Sequence, residues 1–419
     1  MIFIYSKQTS ERLTYILDFC FSSKGEEWEI ITSMGKWEDI YDGVRLNYSR
    51  EEQLDSDMHI IPQGILFNQG IEQAELSVNE TEGNRLELNK SDDPFSIIFY
   101  LLSRMEEYGD SDRDEHDRFK ASNHSLVKIG RHKEPVCDDL VKKLWDELQL
   151  DYSGVLGRFE AVPSFDIDVA WAYKNKGLVR TAGAFLKSDN KKERWAILRN
   201  KEHDPYDTYS TIHEIAARVE RIICFALLGD WSKYDKNIHW KNEHLGSLLR
   251  GLNAAGGMGI HPSYQSHLDR ERINMEKERL EQIVGHSIRK SRQHFLRLRI
   301  PESYKMLLGA DLNRDYSMGF ADNIGFRAGT SFPYQWFDLD ANTKTDLLIF
   351  PFAYMDSALK DYLNLNPLEA RLEVEELIDN VEDVGGLFMF IWHNHSINDL
   401  DEWKGWKMLL DFTMDKVAP

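Results

Sequence analysis

The chain has 419 residues, 42% hydrophobic and 12% aromatic, with 29% charged and a formal net charge of −20. That apolar supply supports large cores and excludes extensive disorder, while the acidity excludes a broad footprint on nucleic-acid phosphates or an anionic membrane. The length leaves room for two domains, one of them large enough for an α/β barrel.

Cys20, Cys137 and Cys224 are scattered, odd in number and without CxxC spacing, so neither a disulfide framework nor a thiolate metal site is expected. The start, MIFIYSKQTSERL, has neither a basic leader nor a long apolar run, and no later stretch reaches the roughly 18 apolar residues of a membrane span. The expectation is a cytoplasmic protein with no membrane insertion.

In chain order, the pattern predicts a strand from Met1 to Tyr5, a helix from Glu11 to Phe21, a strand from Trp28 to Thr32 and turn-rich sequence around Asn79 to Asn84. DDPFSIIFYLLSRMEEYG reads as a helix, with Pro94 early and Gly109 as a stop. The polar block Glu106 to Phe119 reads as an exposed loop. A helix from Cys137 to Leu148 leads to DYSG, which predicts a boundary between an α+β domain over 1–152 and a second domain over 153–419.

That second domain begins with VPSFDIDVAW, Val162 to Trp171, a buried-strand pattern ending in Asp166 and Asp168. Two carboxylates there need a cation or hydrogen bonds, or else they cap a loop; both readings stand at this point. Further strands are predicted over Ile222 to Leu228, Met258 to Ile260, Arg292 to Leu298, Asp346 to Phe352 and Leu387 to Trp392. Helices are predicted between them, over Asn242 to Ala254, His267 to Lys290, Glu302 to Leu308 and Leu368 to Val384, with a last one from Trp403 to Met414. Such alternation predicts a parallel sheet with outer helices, a (β/α) barrel of fewer than eight strands.

In such a barrel the working side chains gather where strands end. Asp166 and Asp168, His261 in MGIHPSYQSH, Arg292 and His294 in SRQHF, and His393 in FMFIWHNH meet that criterion. One carboxylate with two imidazoles suits zinc or another first-row divalent metal. A second carboxylate could take a proton and an imidazolium could return one, which is the chemistry of amide or ester hydrolysis. Arg292 suits a clamp on the base carboxylate. A lone histidine at a strand end serves as a structural residue as readily as a ligand, and that alternative stays open for His393. His267 and His286 fall in charged helical sequence and read as solvated, and His116, His124, His239 and His395 carry no pattern of their own.

At these residues the chain resembles the polysaccharide deacetylase, or NodB-homology, superfamily, also called carbohydrate esterase family four, from about Leu156 onward. The resemblance implies a distorted, seven-stranded (β/α) barrel preceded by an extra N-terminal α+β domain, in a bacterial subgroup. SFDID resembles the family's TFDD motif, implying Asp166 as general base and Asp168 as metal ligand, although Ile167 is inserted between them. HPSYQS resembles the HSxxH motif, implying His261 as ligand, but Gln265 stands where the second histidine belongs. His294 is the expected substitute. FIWHNH resembles the final motif, implying His393 as general acid, with Arg292 as the clamp. Trp171, Arg327 and Trp336 are expected to bind substrate. The implied activity is zinc-dependent, or cobalt- or nickel-dependent, removal of acetyl groups from an N- or O-acetylated carbohydrate. Gln265 also leaves open a glycan-binding protein without turnover.

Overall fold

In the computed structural model, which describes residues 1–109, 112–151, 158–176, 191–199 and 201–418, the chain opens with a parallel four-stranded sheet. Its strands are β1 (Ile2–Tyr5), β2 (Trp28–Ile31), β3 (Val44–Tyr48) and β4 (Met58–Ile60), in the order β2-β1-β3-β4. The helix Glu11–Cys20 crosses from β1 to a parallel β2, because parallel neighbours cannot be joined by a tight hairpin. The Ser10 side chain starts that helix by accepting the Leu13 N–H at 3.0 Å. An antiparallel hairpin of β5 (Leu76–Asn79) and β6 (Arg85–Leu88) turns in the predicted polar stretch.

The helix Pro94–Leu102 is buried at every residue after the proline. Asp93 caps it, accepting the Phe95 and Ser96 N–H groups, while the Tyr48 hydroxyl donates to its other oxygen at 2.8 Å. A helix apolar on all sides needs partners on all sides. Phe99 accordingly packs on Phe337 from the second half, ring centroids 5.2 Å apart.

The second sheet holds β7 (Glu160–Ile167), β8 (Ile223–Ala226), β9 (Met258–Ile260), β10 (Lys290–Ser291), β11 (Arg314–Asp315), β12 (Tyr334–Asp338), β13 (Thr343–Ile349), β14 (Tyr354–Met355) and β15 (Leu387–His393). Their order is β12-β13-β11-β10-β9-β8-β7-β15-β14, parallel except for β12 against β13. The sheet curls: the Phe350 N–H donates to Asp315 and that of Phe352 to Met318, whereas that of Ala353 donates to Met389 on β15. One continuous run of chain therefore touches both sides of the curl. Inside it pack Val162 of β7, Phe225 of β8 and Met389 and Ile391 of β15, while Phe165, Phe390 and Trp392 face the outer helices.

Several local predictions fail, among them the exposed loop expected over Glu106 to Phe119, where Glu107, Tyr108, Arg118 and Phe119 are buried. The strand expected over Arg292 to Leu298 is only Lys290–Ser291, and the chain then breaks at Phe295 and Leu296, both at positive φ. The helix expected from His267 is Arg270–Val284, because Asp269 caps it by accepting the Arg272 N–H at 3.0 Å and Gly285 ends it at φ 82°. His267 thus lies outside the helix, with Nε2 3.0 Å from Asp117 Oδ2, and is not solvated as expected. Residues 152–154 of the predicted boundary lie outside the described residues. Among the described residues no helix is long and apolar enough to cross a membrane.

Candidate active site

The period of β7 decides what faces inward. Val162, Ser164 and Asp166 alternate with outward Phe165 and Ile167, so the extra residue between the two aspartates points into the outer apolar layer. β15 alternates likewise and its register sets His393 opposite Asp166. Both chemical groups therefore arrive at the same end of adjacent strands.

Asp166 and Arg292 are almost wholly buried, and burying one charge alone is prohibitive. Arg292 Nη1 donates to Asp166 Oδ1 at 2.9 Å, Nη2 to Ser164 Oγ at 2.9 Å and Nε to the Tyr316 carbonyl at 3.0 Å. Its guanidinium also lies 4.3 Å over the Phe225 ring. Held by these contacts, the cation orients Asp166 and leaves Oδ2 facing His261 Nε2 at 3.7 Å.

His261 Nδ1 lies 2.6 Å from the Arg292 carbonyl, which only accepts, so Nδ1 carries a hydrogen and Nε2 is the atom turned to the cavity. His294 Nδ1 is 3.0 Å from Asp235 Oδ1, which likewise leaves Nε2 as the free atom. Those two Nε2 atoms stand 3.2 and 3.6 Å from the Asp168 carboxylate. Ligand atoms of Asp168, His261 and His294 all lie within 4.8 Å of one another. Asp168 Oδ1 is buried without a hydrogen-bond partner. Burial opposes its charge, but attraction to His294 and contacts with His261 and His294 more than offset this, holding the carboxyl well below its usual range. An orphaned buried oxygen beside the Nε2 atoms of two imidazoles is a donor set that fits a first-row divalent cation. Gln265 is exposed in the turn Tyr264–Ser266, and the third donor comes from His294.

His393 Nδ1 lies 2.7 Å from Asp356 Oδ1, its backbone N–H donates to Oδ2 at 2.8 Å, and the Ser396 hydroxyl donates to the same Oδ2. Burial alone would lower the imidazole pKa, but Asp356, with Asp168 and Asp166 beyond it, raises it to about 10. Nε2 faces Asp168 Oδ2 at 3.7 Å.

Asp166, Asp168, His261, His294 and His393 line one cavity of about 320 Å³, with Phe295, Leu296, Met355, Tyr362 and Trp403 as apolar walls. A larger cavity of about 970 Å³, beside β5, gathers no histidine. Three expected substrate contacts do not line the smaller cavity. Trp336 is buried against Tyr304, Trp171 packs on Tyr209, and Arg327 is locked in a bidentate pair with Glu107. Each is drawn into packing because a buried ring or guanidinium must satisfy its own surroundings first.

Asp356, Asp235, His395 and Arg118 were not anticipated. Asp356 follows the apolar run FPFAYM, and an acid past a buried run was its available signal. Asp235 and Arg118 lie in polar loops with no such signal. His395, expected to carry no role, lines the cavity beside His393, ring centroids 5.3 Å apart.

Residues 2–153 match the model of a family of unknown function, DUF7033. No curated protein matches the chain. Among solved structures it is similar to a "putative polysaccharide deacetylase" from Mycobacterium smegmatis, at 15% identity and TM-score 0.41, over 63% of this chain and 87% of the other. It is also similar to Puue allantoinase, at 11% identity and TM-score 0.39, over 61% and 83%.

Proposed function

We propose that the protein is a metal-dependent hydrolase that removes acetyl groups from an N- or O-acetylated carbohydrate. The observation that carries this reading is the meeting of Asp168, His261 and His294 with two further groups, an Arg292-held carboxylate and an Asp356-held imidazole, in one cavity. A zinc ion, or cobalt or nickel, held by those three residues would acidify water and polarise an acyl carbonyl. Asp166 Oδ2 takes the proton of the attacking water, since Oδ1 is already engaged by Arg292. His393 donates from Nε2 to the departing amine or alkoxide, since Nδ1 is engaged by Asp356. Arg292 and Asp356 are positioning residues. Phe295, Tyr362 and Trp403 offer apolar faces to a sugar ring.

In this reading β13 and β14 form one stave of a seven-stave barrel, and residues 1–152 are a cap that shares its core. A cytoplasmic setting would favour a soluble sugar precursor over an extracellular polymer. Calorimetry on metal-stripped protein tests the site: one tight zinc site is expected, lost in His261→Ala. Acetate release from acetylated sugars tests the reaction, and an Asp166→Asn variant with full activity would refute it.

A further inference from the structure

Among the described residues lining the cavity, Arg118 alone comes from before β7. Its side chain is 7% exposed and its Nε donates to Asp114 Oδ2 at 2.6 Å. The remaining donors reach two different walls of the mouth: Nη1 bonds the Phe295 carbonyl at 3.3 Å and Nη2 the Tyr362 hydroxyl at 2.9 Å. Phe295 follows β10 and Tyr362 follows β14, while β11 and β13 lie next after β10 in the sheet order. The guanidinium therefore spans the opening between two loops that the strand order keeps apart.

The segment that delivers Arg118 is itself fastened. The His116 ring packs on Phe295, centroids 5.0 Å apart, and its carbonyl accepts Arg297 Nε at 2.8 Å. Asp117 Oδ2 bonds His267 Nε2 at 3.0 Å. These contacts make a strap. A glycan chain crossing the mouth here would have to break charge-assisted hydrogen bonds to a buried guanidinium. The cavity, about 320 Å³, also sits near the lower end of the roughly 300–1,000 Å³ usual for small-molecule sites.

We propose that Arg118 and Tyr362 close the cleft between the β10 and β14 loops, so that the site takes a free or chain-terminal N-acyl sugar and excludes the interior of a polysaccharide. The substrate class rests on the hydrolase reading; the closure does not. The test uses the full chain loaded with zinc, N-acetylglucosamine and its oligomers up to the hexamer. Affinity is read by calorimetry, and any acetate release is mapped to individual units by mass spectrometry.

The closed cleft predicts wild-type affinity that changes less than about threefold from monomer to hexamer, with acetate leaving terminal units only. Arg118→Ala should raise the hexamer-to-monomer affinity ratio at least about tenfold, and Tyr362→Phe should move it the same way by less. Should Arg118→Ala fail to fold, Tyr362→Phe, which removes one exposed hydroxyl, carries the test. Wild-type affinity climbing with each added unit, acetate released from interior units, or an unchanged ratio in the folded variants would overturn the closure. Length-independent binding without acetate supports the closure and overturns the hydrolase reading. Absence of binding to every glycan overturns the substrate class and the hydrolase reading on which it rests.

Discussion

His393 and Asp356 decide the acid side of the proposed chemistry through one 2.7 Å contact. The imidazole is wanted protonated, and with its pKa raised to about 10 it stays so across neutral pH. Asp356→Asn removes the largest attraction, so the alkaline limb of the pH–rate profile should move down by more than about one unit and kcat should fall about a hundredfold. The same shift has a stability consequence. The folded pKa lies above the unfolded value of about 6.5, so the pair's contribution is fully present below that value and is lost as pH rises through about 10. Calorimetric melting across that window, wild type against variant, measures it.

Among the elements, the helix Arg270–Val284 is pinned to the loop after β9 by Glu276. Its Oε2 accepts the Ser263 N–H at 2.8 Å and Oε1 accepts the Ser263 hydroxyl at 2.5 Å. Burial outweighs these bonds and raises the carboxyl to about 7. A raised folded pKa means stability present below the unfolded value and lost as pH rises through 7, since folding then buries a charge. Denaturant midpoints should therefore fall between pH 5 and pH 8 more steeply in the wild type than in Glu276→Gln. Equal slopes would mean that Glu276 titrates normally. The helix itself was legible from its charged periodicity, but the reading from His267 to Lys290 ran past the Asp269 cap and the Gly285 stop that bound it; its docking to Ser263 was not legible, because that pairing is set by the fold of β8 and β9.

For the molecule as a whole, the two halves share one hydrophobic cluster that includes Ile16, Phe99, Trp336 and Phe337. Buried polar ties cross the same junction: Glu107 pairs with both Arg104 and Arg327, and Asp138 accepts from Thr330 and Ser331. Breaking a buried ion pair from one side costs about 3–5 kcal/mol. Arg327→Ala should therefore lower the melting temperature of both halves together, in a single calorimetric transition. Two separate transitions, with only one shifted, would show that the halves unfold independently.

Period and caps are properties of neighbouring residues, which is why β1, β7, β9, β15 and the helices around them could be read from the chain alone. So could the meeting of Asp166, Asp168, His261, His294 and His393 in one cavity, because all five fall at or just past the ends of parallel strands, where the loops converge. Tertiary structure alone decided the rest. It took a folded sheet to turn Ile167 outward and to bring Asp356 and Asp235 behind their histidines. It also withdrew Trp171, Arg327 and Trp336 into packing and carried Arg118 to the cavity from the other half. Those partnerships join residues far apart in sequence, and a buried polar group's partner is fixed by where the backbone sets both ends, which local pattern does not encode.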